Sequence, residues 1–385
     1  MKVQLLNSIS KIIYNELPAQ YEVGADVTEP DAILVRSADM HALELPKSLL
    51  AIGRAGAGTN NIPVDKCAEE GIVVFNTPGA NANAVRELVI AGLLLAGRNI
   101  IGGIEWAATL KGQGAAVGKL VEKGKSQFVG PELKGKKLGV IGMGAIGVLV
   151  ANAAIGLDMQ VVGYDPFMSV DAALHLSRRV TRVDDMDAIF AQCDYVTLHL
   201  PLNANTKGMV DEKRITSMKD GAVLLNFSRG ELVDTPALLA ALESGKLAKY
   251  VTDFPNDEVL CNDKVIAIPH LGASTPESEE NCAQMAAQEV ADYLENGNIT
   301  HSVNFPDCAM PRSDAHRLCV LHRNVANIVG PVTAALGAAN INIGAMMNKS
   351  RGDWAYTMVD ISDAPAEATL AEIAAVAGVS RIRVL

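Results

Sequence analysis

The segment Lys137-Leu-Gly-Val-Ile-Gly142-Met-Gly144-Ala-Ile-Gly147, followed by Gln160-Val-Val-Gly-Tyr-Asp165, constrains the fold of this chain more than any other. An apolar run ends in Gly-x-Gly-x-x-Gly, and an alanine-rich segment from Val148 to Leu157 continues at helical period. A second apolar run then ends in an acid 18 positions beyond Gly147. Strand, glycine turn, helix, strand and carboxylate in that order form the unit that holds a dinucleotide. Gly142 makes the tight turn, Gly144 keeps side-chain atoms away from a pyrophosphate, and Gly147 lets the helix lie close to the sheet. The free N–H groups of the helix N-terminus face the phosphates. Asp165 accepts both hydroxyls of the adenosine ribose and repels a 2′-phosphate, so NAD is expected rather than NADP.

At 385 residues the chain has room for roughly two or three domains with their own cores. Hydrophobic residues make up 49% and charged residues 20%, which excludes disorder and fits an α/β protein. The net charge of −11, with no basic run longer than two residues, argues against nucleic acid and anionic membrane as partners. The N-terminus lacks signal-peptide architecture, and the longest apolar stretch, Leu88 to Gly97, is far short of a membrane span. That stretch is expected to be a buried helix and the protein cytoplasmic. The six cysteines and seven histidines are scattered without ligand spacing, so neither metal nor disulfide framework is expected.

Short apolar runs alternate with helical segments: Val3–Ile9, Ile33–Ser37, Leu50–Ala55 and Ile72–Asn76, then Leu138–Ile141, Val161–Tyr164, Tyr195–Leu200, Ala222–Phe227, Tyr250–Asp253 and Val265–Ile268. Such runs, separated by crossovers, predict two doubly wound parallel sheets with a ligand-binding cleft between them. Ala115 to Gly135, rich in Gly and Lys, reads as an exposed linker. After His301, Pro306, Pro311 and Arg312-Ser-Asp read as a second linker. Beyond it, runs at Leu318–His322, Val329–Ala338, Ile341–Met347, Trp354–Asp360, Ala366–Ala375 and Val379–Val384 follow a βαββαβ order, a small antiparallel sheet with helices on it.

Three predicted strands of the second set end in polar residues. Arg229 closes Asn226-Phe-Ser-Arg229-Gly230, Glu258 follows Asp253, and His270 follows Pro269. Together they supply what hydride removal from a 2-hydroxy acid requires. Arg229 offers a fixed fork for a carboxylate, and His270 accepts the hydroxyl proton. Glu258, bonded to the other imidazole nitrogen, is expected to fix the tautomer.

These segments resemble the D-isomer-specific 2-hydroxyacid dehydrogenases. The resemblance rests on Gly53-Arg54-Ala-Gly56-Ala-Gly58, Asn76-Thr77-Pro78-Gly-Ala-Asn-Ala-Asn83, the Gly142–Gly147 turn with Asp165, His199-Leu-Pro-Leu, Asn226-Phe-Ser-Arg229-Gly230, Asp253 with Glu258, and His270-Leu-Gly-Ala. It covers essentially the whole chain. It implies a flavodoxin-like substrate domain over 1–87 and 282–300, a Rossmann NAD domain over 88–281, and an ACT-like regulatory domain over 315–385. It further implies Arg229, Glu258 and His270 as catalytic residues. Around NAD it places Thr77, Gly142, Gly144, Ala145, Ile146, Gly147, Asp165, Leu200, Pro201, Phe227, Ser228, Asp253, Gly272 and Ala273. Arg54, Asn81, Asn83 and Lys125 fall on the substrate side, Lys125 at a basic position used near a phosphate. The substrate so implied is 3-phosphoglycerate, on the route to serine. The chain departs from the family in having Val251-Thr-Asp-Phe-Pro and Glu258-Val259 at the acid segment, a short loop before His270, and Arg86 where relatives carry a small residue.

The C-terminal segment resembles an ACT module through Leu321-His322-Arg-Asn324 and Asn340-Ile-Asn342-Ile343. It implies His322, Asn324 and Asn342 as the groups that hold L-serine as effector, with Ala326-Asn327 where the family often has Pro-Gly. The alternative is a module that only dimerises. For the whole chain, a glyoxylate/hydroxypyruvate reductase, a D-lactate dehydrogenase and an NAD-responsive binding protein remain alternatives. A homodimer or homotetramer is expected, with the Leu88–Gly97 helix as a pairing element.

Overall fold

The computed structural model describes residues 1–313 and 316–385, so Ala315, the expected start of the C-terminal domain, lies outside the described residues. Two compact units divide the chain: residues 1–80 with 276–385, and residues 81–275.

The first unit opens with β1 (Lys2–Leu6), β2 (Glu22–Gly24), β3 (Ala32–Val35), β4 (Ala51–Arg54) and β5 (Val73–Asn76). They form a parallel sheet in the order β2-β1-β3-β4-β5, the flavodoxin-like arrangement. β3 to β5 are nearly all apolar because both of their faces are covered. The helix Pro276–Asn296 packs on this sheet through Ala283, Ala286, Ala287 and Val290. It comes close enough to β4 that a Cβ on Gly53 would lie 2.9 Å from Val290 Cγ2.

The second unit holds β6 (Lys137–Ile141), β7 (Gln160–Tyr164), β8 (Thr181–Arg182), β9 (Tyr195–Leu198), β10 (Ala222–Asn226), β11 (Leu247–Thr252) and β12 (Val265–Ala267). Their order, β12-β11-β10-β9-β6-β7-β8, is all parallel and reverses direction between β6 and β9. This is the doubly wound dinucleotide fold, whose ligands sit at that switch point. The helix Ala82–Gly97 buries Val85, Val89 and Leu93 and leaves Leu94 exposed, so the apolar stretch is amphipathic rather than wholly buried. The expected linker over 115–135 contains a helix, Val117–Gly124, with no buried residue.

The C-terminal sheet belongs to the first unit. β13 (His316–Arg323), β14 (Ile343–Arg351), β15 (Trp354–Ile361) and β16 (Val379–Val384) pair antiparallel in the order β14-β15-β13-β16. The helices Val329–Ala338 and Glu367–Ala374 complete the βαββαβ sandwich. The stretch before it is not a free linker. Phe305, Cys308 and Met310 are buried, Ile299 bridges Cys308, and one core joins them to Tyr293, Cys319, Leu321 and Tyr356. Flanking prolines disguise this apolar anchor in the sequence.

Candidate active site

The glycine turn has the geometry its sequence demands. Gly142 has φ 92°, and a Cβ there would lie 2.4 Å from the carbonyl oxygen of His199. A Cβ on Gly147 would lie 1.9 Å from the carbonyl oxygen of Gly142, so only glycine lets the Ala145–Gly156 helix seat against the turn. Gly144 and Ala145 are exposed, and nothing lies within 4 Å of a Cβ built on Gly144. That open space at a free helix N-terminus fits a pyrophosphate. Asp165, at the end of β7, accepts from the backbone N–H groups of Met143 at 2.9 Å and Phe167 at 2.8 Å. Its carboxylate therefore fixes the turn while its remaining lone pairs stay available to a ribose. These residues fit a bound dinucleotide.

At the ends of β10 and β11 the polar residues converge. Asn226 is fully buried. Its Nδ2 donates to the carbonyl of Arg229 at 2.7 Å and its Oδ1 accepts from the N–H of Ser228 at 3.2 Å, which shapes the turn that presents Arg229. Ser228 Oγ donates to the carbonyl of Leu198 at 2.7 Å, so its hydroxyl ties β10 to β9. The Arg229 guanidinium lies 5.2 Å from the Phe254 ring centre, and the His270 imidazole lies 4.3 Å from the same ring, tilted by 46°. Arg229 and His270 are both exposed, as substrate-facing groups must be. Asp253 is only 2% exposed. Burial, the largest influence, pushes its carboxyl up. The His270 and Arg229 charges and the N–H groups of its own backbone and of Gly272 pull it back. Its Oδ1 has no hydrogen-bond partner among the described residues, and a Cβ on Gly272 would lie 3.3 Å from Oδ2.

Other expected residues stand differently. Glu258 lies in an exposed turn, and among the described residues nothing hydrogen-bonds to it, so it does not hold the His270 tautomer in this structure. The neighbouring Val259 is buried and directs the turn outward. Phe227 belongs to the core, where a Cβ on Gly92 would lie 2.9 Å from its ring, so its side chain does not face a cofactor. Leu200 packs at the glycine turn, and the carbonyl of the exposed Pro201 accepts from Thr206 Oγ1. Ala273 is half-buried beside Gly272. Ile146 is half-buried in the first turn of its helix. Asn83 is bonded to Glu87 at 3.0 Å, Asn81 caps the Ala82–Gly97 helix without a side-chain bond, and Lys125 pairs with Glu122 on an exposed face. In the first unit, Arg54 folds its guanidinium over Gly56, and Thr77 is fully buried with a hydroxyl that lacks a partner among the described residues. Sequence reasoning missed Phe254, whose only signal was an aromatic directly after Asp253.

Within this chain Asn342 lies apart from the other two expected effector groups. His322 is buried with both ring nitrogens engaged, Nδ1 donating to the carbonyl of Arg323 at 2.8 Å and Nε2 at 2.9 Å from Thr357 Oγ1. Asn324 is bonded to the carbonyl of Gly352. Asn342 exchanges bonds with Ser362, whereas His322 pairs with Ala355 at the other end of β15. At about 3.3 Å per residue that separation is roughly 20 Å. Asn327 does adopt the left-handed conformation, at φ 64°, in the turn after β13.

Residues 102–272 match the family described as D-isomer specific 2-hydroxyacid dehydrogenase, NAD binding domain. A D-3-phosphoglycerate dehydrogenase of Escherichia coli is 35% identical over 352 residues, covering 88% of this chain and 82% of that one. The protein of the same name in Haemophilus influenzae is 33% identical over 358 residues, covering 89% and 83%. Among solved structures, an NAD+-bound 3-phosphoglycerate dehydrogenase of Entamoeba histolytica superposes with a TM-score of 0.62 at 28% identity, covering 79% of this chain and 98% of that one.

Proposed function

Because this chain belongs to the D-isomer-specific 2-hydroxyacid dehydrogenases and is an NAD-dependent oxidoreductase, we propose that it oxidises 3-phospho-D-glycerate to 3-phosphohydroxypyruvate, the entry to L-serine synthesis. The observation that carries the chemistry is Asp253, buried beside His270 and Arg229 at the end of the nucleotide-binding sheet. Arg229 binds the substrate carboxylate, and His270 takes the proton of the 2-hydroxyl. Asp253 favours the imidazolium that this transfer creates. Gly142, Gly144, Gly147 and Asp165 hold NAD, whose nicotinamide, when bound, supplies the hydride acceptor. Lys125 is a cation suited to a phosphate. The deciding experiment follows NADH formation by purified protein with 3-phosphoglycerate, D-lactate and D-glycerate. Preference for either of the last two substrates would replace the reading with a D-lactate dehydrogenase or a hydroxypyruvate reductase.

Two finer points belong to the same proposal. The helix Ile100–Thr109 has no buried residue although Ile100, Ile101 and Ile104 lie on it, which supports a homodimer or homotetramer covering that surface. Light scattering on the purified protein tests it. The βαββαβ order of the C-terminal sheet supports an ACT-like regulatory module, and titration with L-serine tests whether it responds. His322 is not proposed as its ligand.

A further inference from the structure

β5 is the edge strand of its sheet, and residues 302–304 cover its free side. Ser302 bridges Phe75 in antiparallel fashion, and the N–H of Val303 donates to the carbonyl of Val74 at 2.9 Å. The buried Asn304 side chain accepts from the N–H of Val74 at 3.0 Å and donates to the carbonyl of Ile72 at 2.9 Å. His301 stands where this cover begins, at φ 56°, in the left-handed region that a side chain disfavours. Three contacts hold it there. Its N–H donates to Asp307 Oδ1 at 2.9 Å, its Nδ1 lies 2.7 Å from Oε1 of the buried Glu289, and its carbonyl accepts from the N–H of Asn76 at 3.4 Å. β14 holds the next peptide, because Arg351 Nη1 donates to the carbonyl of Ser302 at 2.6 Å. The reaction proposed above uses none of these groups.

A backbone in the left-handed region persists at a non-glycine residue only where its surroundings over-determine it, and such residues gather at ligand sites. Glycine would take this φ without cost, so backbone shape alone does not call for histidine here. The side chain adds an anchor on Glu289, and what the anchored peptide orders is the carboxyl end of β5. Ligands of open parallel sheets bind outside those ends. Asn76 Nδ2 donates to the carbonyl of Ala57 at 2.6 Å, and the N–H of Thr77 donates to the carbonyl of Gly56 at 3.2 Å, so the loop after β4 is tied to the same point. We infer that His301, braced by Glu289, is a positioning residue for the 2-hydroxy acid, which rests on the substrate class proposed above. Its carbonyl fixes the Asn76–Thr77 backbone, and through it the Gly56–Gly58 loop, in the shape that receives substrate. His301 itself does not touch the reacting atoms.

The test measures kcat, KM for the 2-hydroxy acid and thermal stability in the full chain as wild type, His301→Gly, His301→Asn and Glu289→Leu. His301→Gly keeps the backbone conformation and loses the brace. Its KM should rise about ten-fold with kcat within about two-fold of wild type, because a positioned loop binds ground state and transition state alike. His301→Asn tolerates the left-handed region and carries an amide where the imidazole carries Nδ1, so it should return KM close to wild type. Glu289→Leu fills the space of the acid and removes the partner of the imidazole, and it should raise KM as His301→Gly does. A merely structural role predicts lower thermal stability with unchanged KM in His301→Gly, and that result overturns the inference. Equal KM values in His301→Gly and His301→Asn overturn it too, since rescue by the amide is then missing. An unchanged KM in Glu289→Leu overturns it whether or not His301→Gly folds. Failure of the substrate reading is separate. It shows as a wild type that prefers D-lactate or D-glycerate, and the variants are then compared on that preferred substrate.

Discussion

The imidazole of His270 rests 4.3 Å from the ring of Phe254, and the guanidinium of Arg229 lies 5.2 Å from the same ring. One apolar side chain thus sets the spacing of the base and the carboxylate fork, two groups that arrive from different strands. Cation–π attraction and ring packing hold them, and Arg229 spends Nη1 on the carbonyl of Ser228 at 2.6 Å while its other donors stay available to substrate. Phe254→Ala should lower kcat/KM by about ten- to a hundred-fold, the scale expected for misplaced catalytic groups. NADH affinity should be unchanged. Unaltered turnover in that variant would show that the ring does not position either residue.

His270→Ala and Arg229→Ala should abolish turnover while NADH binding stays near wild type. Both groups are exposed at the strand ends, away from the glycine turn and Asp165. Removing a general base typically costs about 10²–10⁴ in rate. A His270→Ala enzyme with near-normal kcat would end the assignment. Glu258→Gln is the informative companion. In this structure Glu258 touches neither residue, so a modest effect means that Asp253 alone supports the imidazolium.

Asp165 should set cofactor choice. Its two oxygens already receive the N–H groups of Met143 and Phe167, which aims the carboxylate at the glycine turn. A 2′-phosphate brought there meets a like charge at contact distance. Asp165→Ser should weaken NAD and relatively improve NADP. Steady-state KM values for both cofactors check this, and a wild type that used them equally would contradict it.

The parallel sheets were legible because buried strands read as short apolar runs between crossovers, and β6 with its glycines was legible residue by residue. β2 and β8 were not, being short edge strands with partly or fully exposed residues. In the site, Arg229, Asp253 and His270 were legible as polar ends of apolar runs. Counting five residues from Asp253 found Glu258 but not the buried Val259 that turns it outward. How His322 and Asn342 lie relative to each other was not legible for a different reason. Which residues face each other depends on antiparallel register, and β13 to β15 put these two at opposite ends of the sheet.

Glu289 predicts a pH dependence of stability. It is almost fully buried on the Pro276–Asn296 helix, with Oε1 2.7 Å from His301 Nδ1 and Oε2 unpartnered among the described residues. Burial first, then Asp307, raises its pKa from 4.5 to about 9. Between those values the folded protein keeps the proton that the unfolded chain releases. Folding then takes up a proton, and stability falls as pH rises through this window. Glu289→Gln still donates to His301 and should flatten that slope, gaining roughly a few kcal/mol at alkaline pH. Urea titrations at acid, neutral and alkaline pH measure it. Parallel slopes for wild type and variant would place the titration elsewhere.

The last expectation concerns how firmly the C-terminal sheet is built into the first unit. Arg317 is fully buried and forms a two-pronged pair with Asp360, Nε to Oδ1 at 2.6 Å and Nη2 to Oδ2 at 3.0 Å. Its remaining donors reach the carbonyls of Asn296, Met310 and Pro311. Arg383 donates to the carbonyls of Tyr293 and Leu294 and stacks 4.7 Å over the Tyr293 ring. Two cations from the C-terminal sheet thus close the carbonyl end of the Pro276–Asn296 helix, where the helix dipole favours positive charge. That same helix packs on the parallel sheet of β1 to β5. Asp360→Ala leaves Arg317 buried without its counter-ion, a loss of about 3–5 kcal/mol. Because one core is shared, the loss should appear in the whole unit, with turnover and C-terminal structure lost at the same urea concentration. A loosely tethered module would behave otherwise. It would unfold first and leave turnover intact, and two separated transitions in Asp360→Ala would establish that looser arrangement.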